Sequence, residues 1–189
     1  MTDADSLYEL PEGISTPVDD GACDHLPGMR PPPGALPSTS GEPVDLSSLP
    51  GKTVVYCYPR TGRPGENLPR EWNEISGARG CTPQSCAFRN YHTELQALCV
   101  RVVGLSTQDT GYQREAVERL HLPFELLSDE GLAFAKALDL PTFGVEGITL
   151  IKRLTLVIHE GRIEKVFYPV FPPGENASEV VEWLSGTTV

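Results

Sequence analysis

From Thr53 onward, short runs of β-branched and aromatic residues alternate with stretches of helical period. Few folds accept that order. Thr53-Val54-Val55-Tyr56-Cys57-Tyr58 suits a strand buried on both faces. A helix is predicted to start at Thr82-Pro83, with Thr82 as N-cap and Pro83 at the first helical position. Phe88, Tyr91, Leu95 and Leu98 give it an apolar stripe. Val100–Ser106 reads as a second buried strand, Gly111–His121 as a short amphipathic helix and Phe124–Leu127 as a short strand. Ser128 is expected to cap a helix through Leu138. Leu154–Ile158 and Ile163–Tyr168 form a hairpin across Glu160-Gly161. Asn176 with Glu179 forms a capping box for a last helix through Leu184.

Strands that alternate with helices and then close on an antiparallel hairpin make an α/β protein. The expected architecture is a three-layer α/β/α sandwich with a mixed central sheet, as in a thioredoxin-like fold. The 189 residues are one domain's worth, and 39% hydrophobic content is enough for one core. The stretch from Thr61 to Gly80 is rich in Gly, Pro and Arg and reads as a long loop, with a short turn over 68–75. A loop that long inside a domain is usually functional.

The first fifty residues differ from the rest. They hold nine acidic residues against Arg30 alone, and twelve of the eighteen prolines precede residue 70. Residues 1–35 are expected to be an acidic, Pro-rich extended segment, loosely packed, ahead of a domain over 36–189. A net charge of −11 argues against a nucleic-acid partner. The longest apolar runs are far too short for a membrane span. The opening residues lack the pattern of a secretory signal, and with five cysteines this points to the cytoplasm. No phosphate-binding, dinucleotide or nucleophile-elbow motif occurs, and the four histidines are scattered. No cofactor or metal is therefore expected.

The cysteines carry the chemistry. Cys81 sits just before the predicted N-cap, where backbone N–H groups and the helix dipole favour a thiolate, with Arg79 nearby. Cys86 is five residues on, about 7.5 Å along the helix and about 140° around it. A disulfide between them would need the first turn to unwind. Their spacing is neither Cys-x-x-Cys nor that of a zinc site; Cys86 on its own is equally a core thiol. Cys57 and Cys99 are expected to be buried and inert. Cys23, beside Asp19, Asp20 and Asp24, is expected to be unreactive.

Gly80-Cys81-Thr82-Pro83-Gln84-Ser85-Cys86-Ala87-Phe88-Arg89-Asn90 resembles the active-site helix of peroxiredoxins. It is closest to the Q-type, or bacterioferritin-comigratory-protein, branch, whose pattern is roughly G-C-T-x-E-x-C-x-F-R-D. Val44–Lys52, Tyr58-Pro59, Val103–Ser106, Leu122–Asp129 and Arg153–Ile158 also look like family segments, so the likeness covers about residues 36–185. It implies a thiol peroxidase for hydrogen peroxide and small organic hydroperoxides, with Cys81 peroxidatic, Cys86 resolving and Arg153 facing the thiolate. It also implies an intramolecular Cys81–Cys86 disulfide, a thioredoxin-like dithiol reductant, and a monomer, with a dimer as the alternative. Two departures stand out: Ala78 occupies the position of a family Thr or Ser, and the stretch from Thr61 to about Ile75 looks inserted. Thr61 is a candidate to fold back and supply the missing hydroxyl. Gln84 stands where the family motif has an acid. The competing readings are a one-Cys peroxidase resolved by an external thiol, a redox sensor using the acidic N-terminal surface, and a metal-binding thiol pair.

Overall fold

The computed structural model describes residues 7–186. A five-stranded mixed sheet runs through it in the order β3-β2-β1-β6-β7. β1 (Lys52–Cys57) is central; it pairs parallel with β2 (Val100–Ser106) and antiparallel with β6 (Leu154–His159). β3 (Leu126–Ser128) and β7 (Arg162–Phe167) complete the two sides. A separate hairpin, β4 (Thr142–Val145) with β5 (Ile148–Ile151), precedes β6; the sequence pattern had not suggested it.

Side chains alternate across β1, as the strand period requires. Val55 and Cys57 face one core, with Leu105, Leu127, Leu154 and Leu156. Val54, Tyr56 and Tyr58 face the other. That second face is covered by α1 (Cys81–Asn90), α2 (His92–Ala97), α3 (Thr110–Leu120) and α5 (Asn176–Gly186). The Tyr56 ring stacks on Phe88 at 4.6 Å between centroids and meets Phe124 edge-on at 5.9 Å. Each such pair stabilises by about 0.5–1.5 kcal/mol beyond the area buried.

The first face is covered by one short helix, α4 (Ala133–Ala137), together with N-terminal chain. Leu26 is fully buried there, beside Cys23, Leu36, Val44 and Leu46. The expected loose packing of the N-terminal segment therefore fails from Cys23 on. The prolines do keep that stretch out of helix, but Cys23, Leu26 and Leu36 turn inward to cover a face that α4 alone cannot.

Several predicted ends shift. The helix expected from Thr82 to Leu98 breaks at Tyr91 into α1 and α2, and its N-cap is Gly80 rather than Thr82. Asp129, not Ser128, serves α4, accepting from the Phe134 and Ala135 N–H groups at 3.0 and 2.8 Å. Asn176 is already helical and does not act as an N-cap. Cys99, expected in the core, is exposed, because a φ of 56° at the turn into β2 swings its side chain outward. Among the described residues no helix is long and apolar enough to cross a membrane.

Candidate active site

Cys81 is the first residue of α1, at the end of the 61–80 loop. Gly80 before it holds φ 99°, a left-handed conformation that favours glycine. A Cβ on Gly80 would also lie 2.5 Å from Pro173 Cγ. This close approach seats the start of α1 against the turn at Pro173–Glu175 and buries Cys81 to 4% exposure. The free N–H groups of the first helical turn lie at the same end.

Arg153 immediately precedes β6, on the α1 side of the sheet, and is 3% exposed. Its Nη2 donates to Cys81 Sγ at 3.2 Å and to the Arg79 carbonyl at 2.9 Å. The Gly77 and Ala78 carbonyls also accept from Nη2, each at 3.3 Å. The Cys81 thiol, when protonated, can donate to the Ala78 carbonyl at 3.6 Å. A buried guanidinium needs hydrogen-bond partners and compensating charge. Of these partners, only Cys81 can become an anion.

The other end of Arg153 is held by neutral groups. Nη1 donates to Gln84 Oε1 at 2.5 Å, and Gln84 Nε2 donates to Asn176 Oδ1 at 3.0 Å. Thr155 Oγ1 donates to the same Asn176 oxygen at 2.7 Å. Gln84, Thr155 and Asn176 are fully buried. With an amide at position 84, no carboxylate among the described residues bonds Arg153 in competition with Cys81.

Cys86 lies on the same helix, half-buried, against the aromatic core. Burial pushes its thiol up, against the opposing influence of Arg89 and Arg119. Arg79 is buried as well; burial lowers its pKa, while the nearby Cys81 acts in the opposite sense. Thr61 is fully buried, but its hydroxyl donates to Gln108 Oε1 at 3.1 Å, and its N–H to the same oxygen at 2.9 Å. No bond joins Thr61 to Cys81 among the described residues, so its position does not match the expected substitute hydroxyl. At position 78 the backbone carbonyl takes part instead.

The structure thus brings Cys81 and Arg153 together, keeps Cys86 on the same helix and leaves Thr61 bonded elsewhere. Sequence reasoning missed Asn176 and Thr155. Asn176 resembled a capping residue, and its position against Gln84 follows only from packing α5 on α1. It also missed Leu7, Glu9 and Trp72, which line a cavity of about 20 Å³ beside Cys81.

Comparison with known proteins speaks to the family and the fold. A Redoxin family model matches residues 26–184. A chloroplastic peroxiredoxin Q of Sedum lineare is 34% identical over 161 residues, which cover 83% of this chain and 76% of that protein. One from Populus jackii is 32% identical over 161 residues, 83% of this chain and 67% of its own. The crystal structure of peroxidoxin BcpB from Mycobacterium tuberculosis superimposes with a TM-score of 0.71 at 25% identity, covering 87% of this chain and all of that one. With a cysteine bonded to a buried arginine on a thioredoxin-like sheet, and with these likenesses, the chain belongs to the Redoxin family, in its Q-type peroxiredoxin branch of thiol peroxidases.

Proposed function

We propose that Cys81 reduces hydrogen peroxide and small organic hydroperoxides, with Cys86 as the resolving thiol. The 3.2 Å contact between Arg153 Nη2 and Cys81 Sγ carries this reading. The ionised sulfur attacks the terminal oxygen of ROOH. An S–O bond forms and the O–O bond breaks. Cys81 becomes a sulfenic acid, and RO⁻ leaves with the electron pair and takes a proton from water. Arg153 can hold the thiolate and then donate to the oxygen that gains charge.

The sulfenic acid then condenses with the Cys86 thiol, forming the S–S bond and releasing water. In the helix the two side chains point apart by about 140°. The first turn of α1 must therefore unwind. No side chain caps that turn, which keeps the cost of opening low. A thioredoxin-like dithiol donor would restore both thiols and become a disulfide itself. Alkyl peroxide reduction is an activity of the bacterioferritin comigratory protein of Xanthomonas campestris, which supports the substrate class. A monomer in the cytoplasm fits the reading.

The test is the mass of the protein after one equivalent of hydrogen peroxide. Loss of two hydrogens in wild type, and a stable gain of one oxygen in Cys86→Ser, are expected. A stable oxygen adduct in wild type would show that an external thiol resolves Cys81. Steady-state turnover with thioredoxin and its reductase, in wild type and Cys86→Ser, then tests the donor.

A further inference from the structure

Which peroxides reach Cys81 depends on what covers it; this inference rests on Cys81 being the peroxide-attacking sulfur. The cavity at Cys81 measures about 20 Å³. A single water needs on the order of 10–15 Å³ of room, so the free space at the sulfur is small. Larger cavities exist, but they do not reach the sulfur. A space of about 110 Å³ touches Arg153 without touching Cys81. Clefts of about 560 and 420 Å³ elsewhere have no cysteine in their walls.

The small cavity is walled by two irregular stretches of the chain. Leu7 and Glu9 come from the N-terminal segment, and Leu68 and Trp72 from the apparent insertion. Leu7 sits directly on Gly62: a Cβ there would be 2.7 Å from Leu7 Cδ2 and 3.2 Å from Leu68 Cδ2. Leu10 sits on Gly80, where a Cβ would be 3.0 Å from Leu10 Cδ2. Glycine at both positions lets two leucines press against the backbone that leads into Cys81. The floor beneath them is fixed. Arg119 Nη2 donates to the Gly62 carbonyl at 2.9 Å, and Ser76 Oγ donates to the Ser15 carbonyl at 3.1 Å, tying insertion and N-terminal segment together. Trp72 in turn rests on Phe143.

We propose that residues 7–10 form the cover of a size-selective peroxide site, with Leu7 and Leu10 as its specificity-determining residues. Hydrogen peroxide reaches Sγ with the cover in place. A hydroperoxide with a bulky substituent must displace both leucines before its terminal oxygen meets the sulfur. The chemistry at sulfur is the same for both, so the discrimination is steric and acts on access.

The experiment uses full-length protein without reductant. Oxidation of Cys81 is followed in a single turnover by rapid quench and mass spectrometry, and in parallel by tryptophan fluorescence, since Trp72 lines the cavity. Hydrogen peroxide, tert-butyl hydroperoxide and cumene hydroperoxide are compared. Wild type should prefer hydrogen peroxide to cumene hydroperoxide by about 100-fold or more, with tert-butyl hydroperoxide between them. Leu7→Ala/Leu10→Ala should lower that ratio by about tenfold or more. A ratio cancels any general loss of activity, and Leu7→Ala alone, the milder change, should move it in the same direction. Equal rates in wild type, or an unchanged ratio in the double variant, overturn the proposal while leaving the peroxidase reading intact. Failure of both small and large peroxides to oxidise Cys81 overturns the peroxidase reading itself.

Discussion

Each face of the central sheet buries a cysteine, and the two could hardly differ more. Cys57 is fully buried on the face with Cys23 and the aliphatic core; Cys81 is 4% exposed on the other. Burial pushes the Cys57 thiol far up, and Cys23 and Asp129 push it the same way. Burial likewise pushes Cys23 up to about 12, reinforced by Asp20, Asp19 and Asp24. Cys81 instead has a buried guanidinium at 3.2 Å and the start of a helix behind it. Burial without a cation disfavours a thiolate, whereas a fixed cation beside the sulfur, with no carboxylate bonded to it among the described residues, is the arrangement the proposed site needs.

The sharpest way to break this contrast is to exchange each sulfur for oxygen. Cys81→Ser should lower peroxide turnover by about 1000-fold or more. Cys57→Ser should keep turnover and lose stability, by about 1–3 kcal/mol if the hydroxyl finds no partner. Thioredoxin-coupled peroxide consumption and thermal melting read the two effects. Equal loss of turnover in both variants would end the distinction between faces.

Next in size is the cation. Arg153→Met keeps the bulk and removes the charge, and should slow single-turnover oxidation of Cys81 by about 100-fold. Gln84→Leu should have a smaller effect, about tenfold on the same rate. It leaves Arg153 Nη1 without its acceptor and frees the side chain to move. If Gln84→Leu melts earlier but oxidises at the wild-type rate, Gln84 only packs the core and does not position Arg153.

The smallest effect belongs to the other face. Asp20 is held at about 2, from 3.8, chiefly by the hydrogen bond from Lys152 and then by that from Tyr168. A carboxyl lowered on folding stabilises fully above its unfolded value and loses that contribution as pH falls through the folded one. The melting-temperature gap between wild type and Asp20→Asn should therefore be present at pH 6, shrink below about pH 4 and vanish only well below about pH 2. Asp20 is exposed, so the gap should be small and should narrow further in high salt. A gap that does not shrink between about pH 4 and pH 2 would mean the side chain contributes through something other than its charge.

Local patterns in the sequence accounted for much of this. The run at Thr53–Tyr58 became β1, the hairpin across Glu160-Gly161 became β6 and β7, and the motif around Cys81 was legible residue by residue. What stayed hidden depends on long-range packing. Gln84 meets Asn176 across 92 residues and Arg153 across 69, and no local period encodes such pairs. The β4–β5 hairpin is short and half-exposed, so it lacks the buried run that marks a strand. Leu26 gave no signal because proline-rich chain has no period to mark its inward side. Cys99 misled because a residue adjoining a buried strand was assigned the strand's burial, whereas the turn before β2 rotates it outward.

The pairing of Arg153 with Cys81 spans 72 residues and requires β6 to lie beside β1. A chain being synthesised exposes Cys81 long before Arg153 exists to meet it. At that stage the cysteine lacks the guanidinium that it meets in the folded chain. Only when the last strands dock does the sulfur acquire its cation. On the proposed peroxidase reading, reactivity is thus a certificate of completed folding, issued by the C-terminal half of the chain to a residue in the N-terminal half.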